Sequence, residues 1–324
     1  MSGLKVIQPG INSHIQDRGR FGFHDIGLTT GGPLDFSSFC WANKLCNNYG
    51  AETCIEVLVG GLVLESQVST QIAVTGATLP LSINQQQVDC WRSHTIQPGD
   101  RIELGYSTAG CRAYLAVAGG FQAQPIFHSV ATVSREGLGG LDKDGSALKA
   151  DDILPCDASD NLQCLTLDPC YRPKLDHDDV MLRVVLGYQH STFQHKNLFF
   201  NSTYTVSENS DRMGYRLKGP AVKSSMTRML SEGICYGAIQ FPADGQPIIL
   251  LSDRQTIGGY PKIGSVLSID IDKLAQLMPG KKIGFEAISI QQAHNLIHLH
   301  EQRFANIIAT KLATKLVTKI SHTP

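Results

Sequence analysis

Residues 231–261 contain the side chains best suited to do chemistry in this sequence. The polar residues Asp253 and Thr256 follow a continuous apolar run, and three further candidates come shortly after them: Gly258, Gly259 and Tyr260. Polar groups at the end of a buried strand, beside glycines that let a ligand approach the backbone, are typical of a binding site. An ordinary polar turn is the other interpretation of the same pattern.

Two short apolar runs, residues 238–241 and 248–251, would carry these side chains. The six residues between the runs contain two prolines and an Asp-Gly pair, which is the turn chemistry of a β-hairpin. The second run is apolar throughout, so the sequence predicts a strand that is buried on both faces. Gln240 lies on the first strand and joins the candidate set.

A second group of charged residues lies near the N-terminus. Asp17 and Arg20 belong to the sequence QDRGR, and Asp35 ends the sequence TTGGPLD. Arginines and backbone amides in such loops can bind a carboxylate or a phosphate. The structural alternative is an Asp–Arg pair that locks a loop onto the core. Asp35 can also cap a helix over residues 36–47, on which Asn43 would lie.

Arg212 belongs to a third charged stretch, SDRMGYRL, at residues 210–217. A surface ion pair of little energetic worth is the alternative interpretation of that stretch. The glycine-rich segment at residues 137–140 is only a weak indication of a phosphate site. The segment lacks the preceding strand and the Gly-Lys-Ser/Thr sequence of a P-loop.

The sequence offers no obvious covalent nucleophile, since it has neither a G-x-S-x-G elbow nor a recognisable Cys–His arrangement. Cys235 follows the apolar Ile234 and is predicted to be a buried small side chain. His294 and His298 are spaced i,i+4 but lack the glutamate of a zinc motif, so we predict a structural or solvated pair and no metal site. The Asp, Arg, Asn, Thr, Gln and Tyr candidates can instead bind and polarise an amide, carboxylate or phosphate.

The composition is that of a globular protein, with 42% hydrophobic and 18% charged residues among 324. A formal net charge of -1 provides no basic field for nucleic acid. Nine cysteines without a C-x-x-C pair indicate neither a disulfide framework nor a zinc site. The N-terminus has no apolar signal segment and no stretch reaches the length of a membrane span, so we predict a cytoplasmic protein without membrane contacts.

Short β-favouring runs between glycine and proline turns dominate the chain, which predicts a mainly β fold with a few helices. Strands are expected at residues 4–7, 71–75, 101–104, 111–118, 180–187, 204–206 and 266–271, with a strand–turn–strand unit at 55–64 and a short helix at 273–277. A shift toward Asp, Pro, Cys and Asn after residue 150 places a domain boundary near residue 175. We therefore predict an N-terminal β-rich domain at 1–175 and a second domain at 176–293.

Residues 294–324 are predicted to form a helical extension. Apolar side chains recur there every four residues, at Phe304, Ile308, Leu312, Leu316 and Ile320. This spacing is typical of an amphipathic helix. We expect the helix to pack on its own barrel or on a partner subunit.

Several of these stretches together resemble one known family. They are residues 9–22 with the pattern PG-x(5)-QD-x-GR-x-G, GPLD at 32–35, YLAVAGG at 114–120, SDRMGYRL, and the string DGQPIILL followed by DRQT and GGYPK. The chain is similar to the biotin-dependent carboxyltransferase-type family once labelled allophanate hydrolase second subunit. Its members include the C subunit of 5-oxoprolinase, and the likeness covers about residues 4–293.

The resemblance implies a cyclophilin-like β-barrel architecture, so that both domains are expected to be barrel-like. It also implies a B subunit as partner, and with an A subunit the complex opens 5-oxoproline to glutamate at the expense of ATP. The leading hypothesis is thus a subunit of a cytoplasmic ATP-dependent 5-oxoprolinase. ATP enters as a cofactor at the level of the complex.

Under that hypothesis the candidate residues take two roles. Asp253, Arg212 and Asp17 are the expected catalytic residues, with Asp253 in an acid–base or orienting role and the arginine holding a carboxylate or a phosphorylated intermediate. The expected substrate-binding residues are Arg20, Asp35, Asn43, Gln240, Thr256, Gly258, Gly259 and Tyr260.

The family resemblance leaves two alternatives open. One is a biotin-dependent carboxyltransferase that acts on a urea-like amide, with biotin as the donor of the carboxyl group. The other is a non-catalytic regulator of a partner subunit or histidine kinase. All three functions share the fold, so the sequence separates them poorly.

Overall fold

The computed structural model describes residues 2–50, 52–159, 163–175, 179–226, 229–307 and 310–311. Within these ranges the fold is mainly β with few helices, as the sequence predicts. None of the helices in the described ranges is long and apolar enough to cross a membrane.

The first half of the chain forms two facing sheets. Its strands are β1 (Gly3–Pro9), β2 (Asn12–Gln16), β3 (Cys54–Leu58), β4 (Leu62–Ser66), β5 (Thr70–Thr78), β6 (Leu81–Ile83), β7 (Gln86–Val88), β8 (Ser93–Ile96), β9 (Arg101–Leu104), β10 (Ala109–Val117), β11 (Ile153–Pro155) and β12 (Leu165–Thr166). One sheet has the order β11-β1-β4-β9-β6-β7, and the other has the order β2-β3-β10-β5-β8. Alternate apolar side chains of both sheets share one core.

The second half closes into a barrel of seven strands with the order β13-β20-β17-β18-β15-β14-β21. Its strands, and the short ones beside it, are β13 (Asp179–Leu186), β14 (Tyr204–Val206), β15 (Gly214–Lys218), β16 (Glu232–Gly233), β17 (Ala238–Gln240), β18 (Ile248–Leu250), β19 (Ile257–Gly258), β20 (Lys262–Val266) and β21 (Lys282–Ile288). The predicted hairpin is present as the antiparallel pair β17 and β18. A further strand, β22 (Thr310–Lys311), pairs with β12.

The helices are α1 (Phe36–Leu45), α2 (Lys196–Phe200), α3 (Ser268–Ala275) and α4 (Ile290–Asn306), with 3-10 turns at His24–Ile26, Ser134–Glu136, Pro169–Tyr171 and Tyr188–Thr192. Asp35 caps α1 as predicted, because its Oδ1 accepts a hydrogen bond of 2.9 Å from the backbone N–H of Ser38. Helix α1 then packs on strands β5 and β10 through its apolar face.

The strand predicted at residues 266–271 is wrong beyond Val266, where β20 ends. Helix α3 begins at Ser268, ahead of the predicted start at residue 273. The alternation of apolar and polar residues mimics a strand, but Ile271 and Leu274 pack together into the barrel core. Helical spacing prevails because Ile271, Leu274 and Ala275 then share one buried face.

The C-terminal helix differs in position from the prediction. Helix α4 starts at Ile290, where Ser289 and Gln292 form a capping box, and it ends at Asn306. Of the predicted apolar stripe only Phe304 lies on it, and Ile308 and residues 312–324 fall outside the described ranges. Phe304 packs on Trp41 of α1 at a ring-centroid distance of 4.8 Å. The helix therefore packs on the first half of its own chain.

Candidate functional site

Arg212 is the centre of a buried set of polar contacts that joins the two halves of the molecule. Its Nε and Nη2 atoms each donate to one carboxylate oxygen of Asp253, at 3.0 Å, and Nη2 also donates to the Gly32 carbonyl at 2.6 Å. Its Nη1 atom donates to Glu56 on strand β3. A guanidinium bound by two carboxylates and a carbonyl has little donor capacity left for a ligand.

Glu56 is held on its other side by the first half of the chain. The Tyr114 hydroxyl and the Leu34 backbone N–H donate to its Oε2 atom at 2.7 and 3.0 Å. Burial alone would raise the pKa of Glu56, but the charges of Arg212 and Arg112 lower it below the ordinary glutamate value. For Asp253 burial prevails over the Arg212 charge, and its pKa is raised. Glu56 is therefore the firmly ionised partner of Arg212.

Asp35 extends this set of contacts toward α3. Its Oδ2 atom accepts hydrogen bonds from the Ser38 hydroxyl at 2.7 Å and from the Gln276 amide at 2.6 Å. The Gln276 Oε1 atom in turn accepts from the backbone N–H groups of Cys111 and Arg112, both at 3.0 Å. We call the connected residues the junction network: Glu56, Tyr114, Asp35, Arg112, Arg212, Asp253 and Gln276.

Asp17 and Arg20, two further predicted site residues, hold a different loop. Asp17 accepts hydrogen bonds from the Ser129 hydroxyl at 2.6 Å and from the Val130 backbone N–H at 2.9 Å. Arg20 is 1% exposed, and its Nη2 atom donates to the Ala131 carbonyl at 2.7 Å. These contacts correspond to the loop-locking alternative, although Asp17 and Arg20 each bind the loop rather than one another.

Asn43 lies on α1 as predicted but is enclosed away from the other candidates. Its amide donates to the Glu52 carbonyl at 3.0 Å, and its Oδ1 atom accepts from Asn48 at 2.7 Å. The side chain is 1% exposed. Its hydrogen bonds fix the loop that follows α1.

A cavity of about 720 Å³ lies between the halves, bounded by loops of the first half, by residues 252–254 and by helix α4. Two arginines line it without an ion pair in the part of the chain that the structure describes: Arg18, which covers the Phe36 ring at 5.7 Å, and Arg254. Arg254 is 5% exposed, and its Nε and Nη1 atoms donate to the backbone carbonyls of Ile234 and Leu251. We call this the junction cavity. Asp272 and Glu301 line it as well, so its two arginines share the space with two carboxyl groups.

Ser37, Asp272 and His300 meet on another wall of the junction cavity. The Ser37 hydroxyl donates to Asp272 and lies 3.2 Å from His300 Nε2. Burial, with the charge of Asp35 nearby, raises the pKa of Asp272 well above its ordinary value. Because serine rather than histidine stands in the middle, the arrangement differs from the Ser-His-Asp order of a hydrolase triad.

Two of the remaining predicted residues lie at a groove of about 450 Å³ on the outer face of the barrel, which we call the outer groove. Gln240 and Tyr260 line it, together with Gln255 and Arg216, which the sequence analysis did not select. Thr256, Gly258 and Gly259 belong to the segment that connects Gln255 with Tyr260. The substrate-binding set thus divides, with Arg20, Asp35 and Asn43 inside the fold and Gln240 and Tyr260 at this groove.

Two other sequence predictions can be compared with the structure. Cys235 is exposed, contrary to the prediction, because it lies in a turn before β17 and places its Sγ atom 2.9 Å from the Ser265 hydroxyl. His294 and His298 are both exposed on α4. In the described ranges no group of three or more His, Cys, Asp or Glu side chains could hold a metal ion.

The glycine-rich segment at residues 137–140 does not fit a phosphate. The backbone N–H groups of Gly137, Leu138 and Gly140 donate to carbonyls of the same loop region, at 2.9 to 3.3 Å. A phosphate cradle requires free amide donors that point at the ligand. We therefore find no reason to place nucleotide phosphates there.

Several functional candidates escaped sequence reasoning. Arg18 follows Asp17 and Arg254 follows Asp253, both of which were predicted site residues. The sequence does not show which member of each pair faces the cavity. Glu56 gave a usable signal, since it is the single charged residue in the apolar strand CIEVL. Asp272 was hidden because α3 was partly interpreted as a strand.

Comparison with known proteins gives a consistent result. Residues 26–287 match the family described as the carboxyltransferase domain, subdomain A and B. The chain is 33% identical over 315 residues to the C subunit of 5-oxoprolinase from Escherichia coli, which covers 95% of this chain and 98% of that protein. It is also 33% identical over 301 residues to the C subunit of 5-oxoprolinase from Haemophilus influenzae, over 92% of this chain and 95% of the relative.

A solved structure, that of the Kluyveromyces lactis urea carboxylase, has the same fold with a TM-score of 0.87 and 28% sequence identity. It covers 96% of this chain, whereas this chain spans only 30% of that protein. Helix α4 lies beyond residue 287, where the family match ends, although His300 and Phe304 on it line the junction cavity.

Proposed function

We propose, because this chain belongs to the family of the carboxyltransferase domain, subdomain A and B, that it is the C subunit of a 5-oxoprolinase. The observation that carries the proposal is the extent of the likeness. The chain spans 98% of the Escherichia coli C subunit, but only 30% of the urea carboxylase whose fold it shares. With the A and B subunits it would open the ring of 5-oxoproline to glutamate, driven by ATP hydrolysis.

The hydrogen bonds divide the candidate residues into two roles. Arg212, Asp253 and Asp17 have their polar atoms bound within the chain, so we assign them to positioning the loops around the site. Gln240 and Tyr260 have no side-chain hydrogen bond to any described residue and line the outer groove. Contact with the substrate therefore falls to the groove residues rather than to the junction network.

ATP acts at the level of the complex in this proposal. In the glycine-rich segment at residues 137–140, the amides of Gly137, Leu138 and Gly140 are bound to backbone carbonyls. We accordingly assign no residue of this chain to the nucleotide. All nine cysteines are free, which fits the reducing cytoplasm in which we place the complex.

The decisive experiment measures ATP-dependent glutamate release from 5-oxoproline by the A and B subunits, with and without this chain. We expect activity with all three subunits and its loss when this chain is left out. A further reaction without ATP controls for spontaneous hydrolysis. Equal activity with and without the chain would contradict the proposal.

One observation favours the carboxyltransferase alternative as a second candidate function. The junction cavity holds two arginines that form no ion pair with any described residue, and a carboxylated donor such as carboxybiotin is an anion larger than 5-oxoproline. If this function holds, carboxyl transfer from a biotinylated carrier to a urea-like amide should require Arg254. Transfer that is unchanged in Arg254→Met would contradict it.

A further inference from the structure

The outer groove has an apolar floor made by the outward side chains of the barrel. Ile248 and Leu250 of β18 line the groove, whereas Ile249 between them belongs to the barrel core. Ala238 and Ile234 pack against Leu250 in a small apolar cluster separate from that core. A ligand with an apolar body can therefore rest on this face while its polar groups meet the walls.

Gln240 is the most unusual residue of the groove. Its side chain is 1% exposed, yet within the described ranges its amide makes no hydrogen bond, and its Nε2 atom is fully buried. A buried amide without a partner costs free energy, whereas most buried polar groups in proteins are paired. The amide therefore has a donor and an acceptor ready for a molecule that enters the groove.

Gly258 keeps the approach to this amide open. A Cβ atom at residue 258 would lie 2.7 Å from Ile234 Cδ1, 3.2 Å from Gln240 Nε2 and 3.6 Å from Gln255 Nε2. The amide of Gln255 likewise has no hydrogen-bond partner among the described residues and lines the groove. Two unpaired side-chain amides thus converge on the space beside one glycine.

The strand register places a cation on the far side of Ile248 from Gln240. Gln240 of β17 and Arg216 of β15 both lie directly opposite Ile248 of β18. Directly opposite residues have Cβ atoms about 5 Å apart, so Arg216 and Gln240 are separated by about twice that distance across Ile248. Arg216 is exposed and has no ion pair in the part of the chain that the structure describes.

We propose that the outer groove binds a small cyclic amide that carries a carboxylate, the chemical class of 5-oxoproline. In a five-membered lactam the N–H and C=O groups lie on the same side, as they do in a primary amide. Gln240 can therefore pair with the ring amide through two parallel hydrogen bonds. The ring rests on Ile248, and Arg216 binds the carboxylate. The choice of 5-oxoproline as ligand rests on the proposed function.

Two carboxylates also line the groove, and each is held by its own turn. Asp211 Oδ1 accepts from the backbone N–H groups of Met213 and Gly214, at 2.8 and 3.1 Å. Asp244 Oδ1 accepts from the Gln246 backbone N–H at 3.0 Å. Lys218 also lines the groove, so its charged side chains are two cations and two carboxylates. We assign the ligand carboxylate to Arg216, because that cation lies across Ile248 from Gln240.

The test compares three probes on the assembled complex and on the full chain alone: 5-oxoproline, 2-pyrrolidinone, which lacks the carboxylate, and proline, which lacks the ring carbonyl. We measure Kd by titration and KM for 5-oxoproline. Gln240→Leu should raise both for 5-oxoproline by about 10-fold or more and remove the preference over proline. Arg216→Met should remove the preference over 2-pyrrolidinone. The surface variants Gln87→Leu and Arg101→Met are the matched controls.

Gly258→Ala provides a second route that leaves both recognition side chains in place. The added methyl displaces the Ile234 side chain, whose Cδ1 atom would be 2.7 Å away, and narrows the space beside Gln240 Nε2. We expect binding of 5-oxoproline to weaken while the preference over 2-pyrrolidinone persists. Unchanged Kd and KM values in Gln240→Leu, Arg216→Met and Gly258→Ala would overturn the site even if the complex is an active 5-oxoprolinase. Conversely, probe-selective binding without glutamate release would support the site and contradict the proposed function.

Discussion

Arg212 and Arg216 are four residues apart in the chain and carry the same side chain into opposite surroundings. Arg212 is 13% exposed and binds Glu56, Asp253 and a backbone carbonyl in the junction network. Arg216 is exposed on the outer groove and has no ion pair to a described residue. One arginine is used by the fold and the other is available to a ligand.

The two regions differ more in unused hydrogen-bonding capacity than in their density of charged residues. The junction network has more charged groups than the groove, but nearly every polar atom in it has a partner within the chain. In the outer groove the amides of Gln240 and Gln255 have none among the described residues. Changes in stability, in pH dependence and in the burial of the Gln240 amide test this contrast.

The largest effect is expected for Arg212→Ala. Removal of one member of a buried ion pair leaves Glu56 and Asp253 without their counter-charge, which costs about 3–5 kcal/mol of unfolding free energy. Urea denaturation of the purified chain measures this change. Arg216→Ala is the matched control, because an exposed arginine without a partner should change stability by less than about 0.5 kcal/mol. Equal small losses in both variants would remove the distinction between the two arginines.

A pH dependence should also separate the interior from the groove. Burial, helped by the charge of Arg212, lowers the pKa of His14 to about 4 from an ordinary value of 6.5. The unfolded chain therefore takes up this proton first as pH falls. The stability that neutral His14 contributes is full above pH 6.5 and is lost progressively toward pH 4.

This linkage predicts that the wild-type protein loses about 2 kcal/mol more than His14→Gln between pH 7 and pH 5. Urea midpoints at the two pH values provide the comparison. The variant is its own control, since the other titrating groups are common to both proteins. Parallel curves would show that His14 does not stay neutral in the fold.

Asp35→Ala should cost about 2 kcal/mol, because it removes the cap of α1 and the hydrogen bond from Gln276. Asp35→Asn restores an acceptor for the Ser38 backbone N–H but meets the Gln276 amide with a second donor. We therefore expect roughly half the loss in that variant. The urea midpoints of the two variants separate the contribution of the α1 cap from that of the Asp35–Gln276 hydrogen bond. An Asn variant as unstable as the Ala variant would assign the whole effect to Gln276.

Local signals in the sequence were sufficient for much of the fold. The Asp35 cap, the β17–β18 hairpin and the strand at 180–187 each depend on residues that are neighbours in the chain. Local signals did not predict helix α3. The alternation of apolar and polar residues around Ile269 and Ile271 fits a strand as well as a helix. The choice between strand and helix depends on which side chains the barrel core buries, and this is not visible in the sequence.

The candidate site was harder to predict than the fold for a related reason. Asp253 and Arg212 are 41 residues apart, and Glu56 is 156 residues from Arg212, so their pairing depends on how the two halves dock. The sequence therefore provides no means of telling a motif side chain whose hydrogen bonds are all made within the chain from one with donors or acceptors left for a ligand. Gln240 shows the converse, because its lack of a partner is visible only once its neighbours are known.

The smallest predicted effect on stability is also the one with the opposite sign. Gln240→Leu replaces an enclosed amide, which has no hydrogen-bond partner among the described residues, by an apolar side chain of similar volume next to Ile248 and Leu250. Since the folded protein no longer buries an unpaired amide, we expect the unfolding free energy to rise by about 1 kcal/mol. A gain in stability together with weaker binding of 5-oxoproline is what a site residue retained for a ligand should show. A loss of stability would instead make Gln240 part of the structural framework, like Asn43.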